Sequence, residues 1–440
     1  MGKILIFRGK VSYTARDSKI GFGCVGQPRH LNPLASPNPF RLGCFIAGFA
    51  WLKWRVCSAL KKPEPPGFFK FPQPCHLPIF ESRAVYGGYP DLSGVKKILV
   101  VKLRHLGDVL LAGPVFSALK EAFPRAEIDA YVYKEAVPML DGHPAIGRLI
   151  AYDRGWKKLG LLSRLAKEAV LLREIRCGGY DLAVNLTEGD RGVLAAFASK
   201  AKVRAGFKPK GGWQRKVLTH IAKDCPSLRH TVERNLDVLR RIGIFPSPEA
   251  KELSFHIPNS SIEKARALSS GEPFVLIHPT SRWRFKCWPS AKMRELASQL
   301  LLEGRKVILT SGPDTAEQEM AREICQGLDI LNLAGQLSLK DLGALIALSD
   351  VLVCVDSVPF HMASALKKPV AALFGPTSDA TWGPWRNPHA RILAQPFSCR
   401  PCYLDGCGGS KRSECLETLP VAAVLQTVHS LLAARQMASL

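Results

Sequence analysis

Acidic residues are scarce in this chain. Against 61 Lys and Arg stand 37 Asp and Glu, leaving a net charge of +24. A deficit of that size points to an anionic partner: nucleic acid, a membrane surface or a phosphorylated substrate. Long apolar runs are lacking too. The longest, 44–52 (CFIAGFAWL), falls far short of the ~20 residues a spanning helix needs. No apolar core followed by small residues announces a secretory leader. The thirteen cysteines are therefore expected to be mostly reduced thiols of a cytoplasmic protein. A Gly-x-Gly-x-x-Gly turn after a first strand is also missing, which counts against a nicotinamide oxidoreductase. Neither a basic helix with interleaved aromatics nor a known nucleic-acid module is present, which counts against nucleic acid as the partner.

What is present falls into two unlike parts. Residues 1–95 carry thirteen Lys/Arg against four Asp/Glu, and are rich in Pro, Gly and aromatics without a sustained period (PEPPGFFKFPQPCHLP is typical). They are expected to form a low-order basic extension with no fold of its own. Within it, 44–60 can be read as a short basic amphipathic helix for a membrane surface, though the plainer reading as part of the extension is preferred.

From Lys96 the pattern becomes strand, helix, strand. Strands are expected over 98–102, 127–133, 148–152, 180–186 and 203–206, with helices over 108–123, 159–175 and 192–199. A Pro/Ser-rich hinge follows over 246–261. The pattern then restarts, with strands over 274–278, 306–310, 330–333, 351–355 and 370–374. The helices between them are placed at 290–303, 316–326, 339–348 and 360–366, and a closing helix at 421–434. Apolar runs such as ILVV and VLVCV, unbroken by polar alternation, suit parallel strands buried on both faces. The fold class is α/β: two doubly wound parallel-sheet domains, 96–245 and 263–440, joined by a linker at 246–262 and facing each other across a cleft.

In such sheets ligands sit at the carboxyl ends of the strands, and the chain places its chemistry there. After the first strand come Arg104 and Asp108. On its own Asp108 reads more readily as a helix cap than as a catalyst. After FVLIH come Thr280, Ser281 and Lys286, hydroxyls and a compact cation that suit a diphosphate. After VLVCV come Asp356, Ser357 and His361, at a helix start whose free N–H groups favour phosphate. Each has a plainer reading as cap, packed histidine or surface lysine. Convergence of these loops on one sheet edge argues against all three.

Three segments, KILVVKLRHLGDVLLAGPVFSALK, HPTSRWRFKCWP and VDSVPFHMASALKKPVAALFGPT, together resemble glycosyltransferase family 9, the ADP-heptose:lipopolysaccharide heptosyltransferases. The branch that adds a heptose to the inner core, the heptosyltransferase III type, is the nearest in pattern. The resemblance runs from about Lys96 to Leu432. It implies the GT-B architecture of two Rossmann-like domains, the first binding the acceptor and the second the nucleotide sugar. It further implies inversion at the anomeric carbon without a required metal. ADP-heptose would be the donor, and a phosphorylated lipid A core the acceptor, met at the inner face of the inner membrane. Asp108 matches the family's catalytic base. Thr280, Ser281 and Lys286 match its donor-phosphate residues, and Asp356, Ser357 and His361 its donor-site loop. No acceptor residue is matched. Arg104 and Arg191, with Arg204 and Lys208, are candidates for acceptor phosphates by their places near strand ends.

The cluster Cys399-x2-Cys402-x4-Cys407-x7-Cys415 could hold a structural zinc, although its spacing is irregular for a zinc ribbon; free thiols are the alternative. The serious rival function is a sister transferase that uses another nucleotide sugar, because donor identity rests on a few cleft side chains.

Overall fold

The computed structural model describes residues 88–223 and 228–438. Residues 1–87, with the helix considered at 44–60, lie outside the described residues. Residues 88–95, taken from the sequence as the end of the extension, belong to the folded body. Leu92 and Val95 pack on the core, and the Tyr89 ring meets Phe245 edge-on at 6.3 Å.

Among the described residues twelve strands form two six-stranded sheets, every pairing parallel. The first contains β1 (Lys97–Lys102), β2 (Glu127–Tyr133), β3 (Arg148–Tyr152), β4 (Leu182–Asn185), β5 (Val203–Phe207) and β6 (His220–Ala222), in the spatial order 3-2-1-4-5-6. The second contains β7 (Phe274–His278), β8 (Lys306–Leu309), β9 (Leu331–Asn332), β10 (Val351–Val355), β11 (Val370–Leu373) and β12 (Ala390–Leu393), in the order 12-11-10-7-8-9. Counted from its own first strand, that is the same order. Each sheet therefore has one switch point, between β1 and β4 in the first and between β7 and β10 in the second, where a crevice opens beyond the strand ends.

The apolar runs divide their side chains between two faces. Ile98 and Val100 point into a core that also holds Leu276, Leu352 and Phe374 of the second sheet, so one apolar cluster is continuous between the two halves. Leu99 and Val101 point the other way, to a cluster under the helices Leu161–Cys177 and Asp190–Ala198. Val275, Ile277, Val351 and Val353 face a third cluster, closed by the helix Val421–Ala438. The two-residue period of a strand does this even where every residue is apolar.

Three expectations need correction. The helix expected over 108–123 is two helices, Leu106–Leu110 and Gly113–Ala122. Pro114, second in the latter, has no N–H to continue the first helix's ladder. β5 is not the last strand of its sheet, nor β11 of the other. The short β6 and β12 were missed because partial exposure at an edge leaves no long apolar run to read. The linker is also not bare: a 3-10 turn, Glu249–Lys251, packs on helix Gly113–Ala122, and helix Asn259–Ser269 begins inside the segment read as hinge.

Polar ties across the linker side hold the halves together. Lys340 Nζ donates to the carbonyls of Asp141 (2.9 Å) and His256 (2.7 Å). The Trp385 indole donates to Lys251 O at 2.7 Å, and Thr231 Oγ1 to Thr381 O at 3.1 Å. Among the described residues no helix is long and apolar enough to cross a membrane.

Candidate active site

β1 ends at Lys102 and the chain turns into helix Leu106–Leu110. The helix cap is His105, whose side chain makes no capping bond, and Asp108 is the third helical residue. The capping reading of Asp108 therefore falls away. Its carboxylate is mostly buried, 12% exposed, and its only ion pair among the described residues is with Arg104, at 3.9 Å.

Just before Asp108, Gly107 lies against the Cδ2 edge of the His361 ring of the other half. A Cβ there would stand 2.8 Å from His361 Cδ2. His361 is buried, with Phe360 and Trp382 beside it, and its Nδ1 has no hydrogen-bond partner among the described residues. Burial pushes its pKa down to about 4; among the nearby charges, Asp356 and Asp108 oppose that shift and Lys286 adds to it. The imidazole is thus neutral near pH 7, where strand ends of both sheets meet.

On the second sheet, Lys286 Nζ donates to Asp356 Oδ2 at 2.7 Å, and Thr377 Oγ1 donates to the same oxygen at 2.6 Å. Asp356 is not a helix cap either. Ser357 occupies that position before helix Val358–Ala365, and its hydroxyl bonds back to Val355 O at 3.3 Å. The helix's first N–H groups are thus left without a side-chain cap. Thr280 Oγ1 donates to Glu317 Oε2 (2.6 Å), which also accepts from Gly312 N (3.1 Å). Ser281 Oγ accepts from Trp283 N at 3.3 Å, which leaves its proton free to donate. Lys286 and Thr280 thus each donate to a carboxylate at the carboxyl-end rim of the second sheet.

The acceptor candidates separate. Arg104 is 43% exposed beside Asp108. Arg191 is engaged, ion-paired to Glu168 at 3.2 Å and stacked 4.2 Å over the Tyr152 ring. Arg204 is tied to the carbonyls of Val217 and Ala201, and reads as structural. Lys208 has no ion pair among the described residues.

Four contributions were not legible as site residues. Lys102 is buried, and its ammonium donates to Leu186 O (3.2 Å) and Asn235 Oδ1 (3.1 Å). Burial pulls its pKa down to about 8, and Asp108 draws it the other way. Asn235 in turn donates to Leu111 O at 3.1 Å, so it ties the β1 end to the backbone just after Asp108. Across the cleft, the Arg282 guanidinium reaches His105 Nδ1 at 3.4 Å. Arg400 bonds the carbonyls of Gly375 (2.6 Å) and Thr377 (3.4 Å) at the rim. A lysine inside an apolar strand, KILVVK, was the one available signal.

Cys399, Cys402, Cys407 and Cys415 are free thiols. Burial raises the pKa of Cys415, with Cys407 and Cys402 near enough to add to it. Yet among the described residues no three or more His, Cys, Asp or Glu side chains are placed to hold a metal ion. The zinc reading therefore gains no ligand set from the fold.

Two parallel sheets of the same strand order, with Gly107 of one half set against His361 of the other, have the two-domain architecture of the GT-B glycosyltransferases. Comparison narrows the class. The family model for glycosyltransferase family 9 (heptosyltransferase) matches residues 169–411. Lipopolysaccharide heptosyltransferase 3 of Escherichia coli (strain K12) is 34% identical over 343 residues, covering 75% of this chain and 96% of that protein. Lipopolysaccharide heptosyltransferase 1 of Pseudomonas aeruginosa is 26% identical, over 71% of this chain and 87% of its own length. The solved structure of E. coli ADP-heptose LPS heptosyltransferase II has a TM-score of 0.65 at 23% identity, covering 77% of this chain and 99% of that one. The chain belongs to glycosyltransferase family 9, the heptosyltransferases.

Proposed function

We propose that this enzyme moves a heptose from ADP-heptose to the inner core of lipopolysaccharide, with inversion at the anomeric carbon and without a required metal. Its place would be the cytoplasmic face of the inner membrane. The observation that carries the reading is the meeting of Asp108, His361, Lys286 and Asp356 where the switch points of the two sheets face each other. The names of the E. coli and P. aeruginosa relatives, lipopolysaccharide heptosyltransferases, and of the ADP-heptose enzyme of like fold support donor and acceptor.

Chemically, the acceptor hydroxyl ionises far above neutral pH and needs a base as it attacks the anomeric carbon. Asp108 takes that proton. The bond from the anomeric carbon to the diphosphate oxygen breaks as the new glycosidic bond forms, and charge grows on the departing ADP. Lys286, the hydroxyls of Thr280 and Ser281, and the uncapped helix start at Ser357 stabilise that charge. Lys286 exchanges Asp356 for the diphosphate, and Asp356, held by Thr377, keeps the ammonium aimed when the site is empty. His361, neutral and packed on Gly107, fixes the distance between the two halves. Arg104, the more exposed arginine beside the base, receives an acceptor phosphate; Arg191 does so only in competition with Glu168.

Donor profiling tests the reading. With a heptosylated inner-core acceptor, transfer is expected from ADP-heptose and not from UDP- or GDP-sugars. Transfer only from a non-heptose donor would establish the sister-transferase alternative. In the same assay Asp108→Asn is expected to lower turnover ~10²–10⁴-fold while donor binding survives; near-normal turnover would remove Asp108 from the base role.

A further inference from the structure

Helix Leu161–Cys177 wears its leucines outward. Of its seventeen residues only Leu171 and Ile175 are buried, both in the second half. In the first half Leu161 is 69% exposed, Leu162 83% and Leu165 52%, and Val170, just past the midpoint, is 68% exposed. Single exposed leucines are ordinary; this many on three turns of one helix mark a contact surface. The neighbouring helix Asp190–Ala198 adds exposed Phe197, and helix Gly212–Val217 beyond it adds exposed Trp213.

Along this helix and its lead-in, the charge left unpaired is of one sign. Lys157 and Lys158 lead into the helix, and Arg173 and Arg176 lie further along it; among the described residues none of the four has an acidic partner. The helix's two acids are already neutralised, Glu168 by Arg164 and Arg191, and Glu174 by Arg148. The position is also specific. The helix begins after the carboxyl end of β3, so Leu161 and Leu162 sit at the same edge of the sheet as the turn that carries Asp108.

We propose that this face docks on an anionic phospholipid bilayer. Leu161, Leu162 and Leu165 enter the headgroup–acyl boundary, and Lys157 and Lys158 lie against the phosphates. The inference rests on the reading above that the acceptor is lipid-linked. It goes further in naming the surface that brings the cleft mouth to the membrane. Charge complementarity selects the bilayer over a second copy, because two such faces would set like charges against each other.

The full chain is sedimented with vesicles of phosphatidylethanolamine and phosphatidylglycerol, and with neutral phosphatidylcholine vesicles. Binding is expected to the anionic vesicles and to fall with added salt. The variant Leu161→Gln/Leu162→Gln/Leu165→Gln is expected to bind about a hundredfold more weakly. Lys157→Gln/Lys158→Gln should lose about thirtyfold, on anionic vesicles only. Both variants should transfer sugar to a water-soluble, delipidated acceptor at the wild-type rate and lose transfer to a vesicle-embedded one. Unchanged vesicle binding by the triple variant overturns the proposal. So does a wild-type dimer that the same substitutions dissociate, since that assigns the face to a second copy. A wild-type chain that binds vesicles but transfers to neither acceptor instead defeats the functional reading and leaves the docking surface standing.

Discussion

Replacing Gly107 by alanine sets two effects of opposite sign against each other. Gly107 lies in helix Leu106–Leu110, where alanine is ordinarily better than glycine by about 1 kcal/mol. The new methyl would stand 2.8 Å from His361 Cδ2, where ordinary contact begins at 3.4 Å, so ring or helix must move by 3.4 − 2.8, about 0.6 Å. The ring cannot swing freely, being buried with Phe360 and Trp382 beside it. Overpacking of this kind costs roughly 1–3 kcal/mol. The net expectation is a loss of up to about 2 kcal/mol, read from urea unfolding. The larger effect is on chemistry. Asp108 is the next residue, and displacements approaching 1 Å cost as much as ~10²-fold in rate. At least a tenfold fall in turnover is expected. The decisive comparison is with His361→Ala. In that background the clash is gone, and Gly107→Ala should turn stabilising by about 1 kcal/mol, a coupling of roughly 1–3 kcal/mol between residues on opposite halves. If Gly107→Ala stabilises the protein with His361 in place and leaves turnover unchanged, the two halves do not meet through this contact.

Two predictions concern pH. Burial holds His143, His278 and His361 at about 4, below the ordinary 6.5. Between those values the unfolded chain binds protons that the folded chain refuses, so stability falls as pH drops from 6.5 toward 4, each histidine contributing up to about 1.4 kcal/mol per pH unit. His278→Asn should flatten the measured profile, and a wild-type profile flat across that window would contradict the burial of the three rings. Lys102, held at about 8 against the ordinary 10.5, acts at the other end. From 8 to 10.5 the unfolded chain carries the extra proton, so wild-type stability should rise relative to Lys102→Met by up to about 1.4 kcal/mol per unit. A constant difference between the two proteins would mean that the ammonium is not buried.

The sequence alone determined which segments became central strands. ILVV, FVLIH, VLVCV and VAAL are apolar on both faces, and only a covered parallel sheet hides both. It also placed Asp108, Thr280, Lys286 and Asp356 beyond strand ends, because the strand and its turn are local. Two of the four edge strands escaped, since β6 and β12 need only three or four half-covered residues. The break at Gly113 was local in cause, but the helical period ran through it.

Only the tertiary structure decided how these residues pair. Lys286 meets Asp356 seventy residues on, and Lys102 meets Asn235 at a separation of 133. Gly107 meets His361 across the two halves. Each pairing depends on which strands become neighbours at a switch point, and no local pattern carries that information. The same holds for the outward leucines of Leu161–Cys177: helical period marks a stripe, but whether it faces a core or a bilayer follows from how little of the helix the sheet can cover.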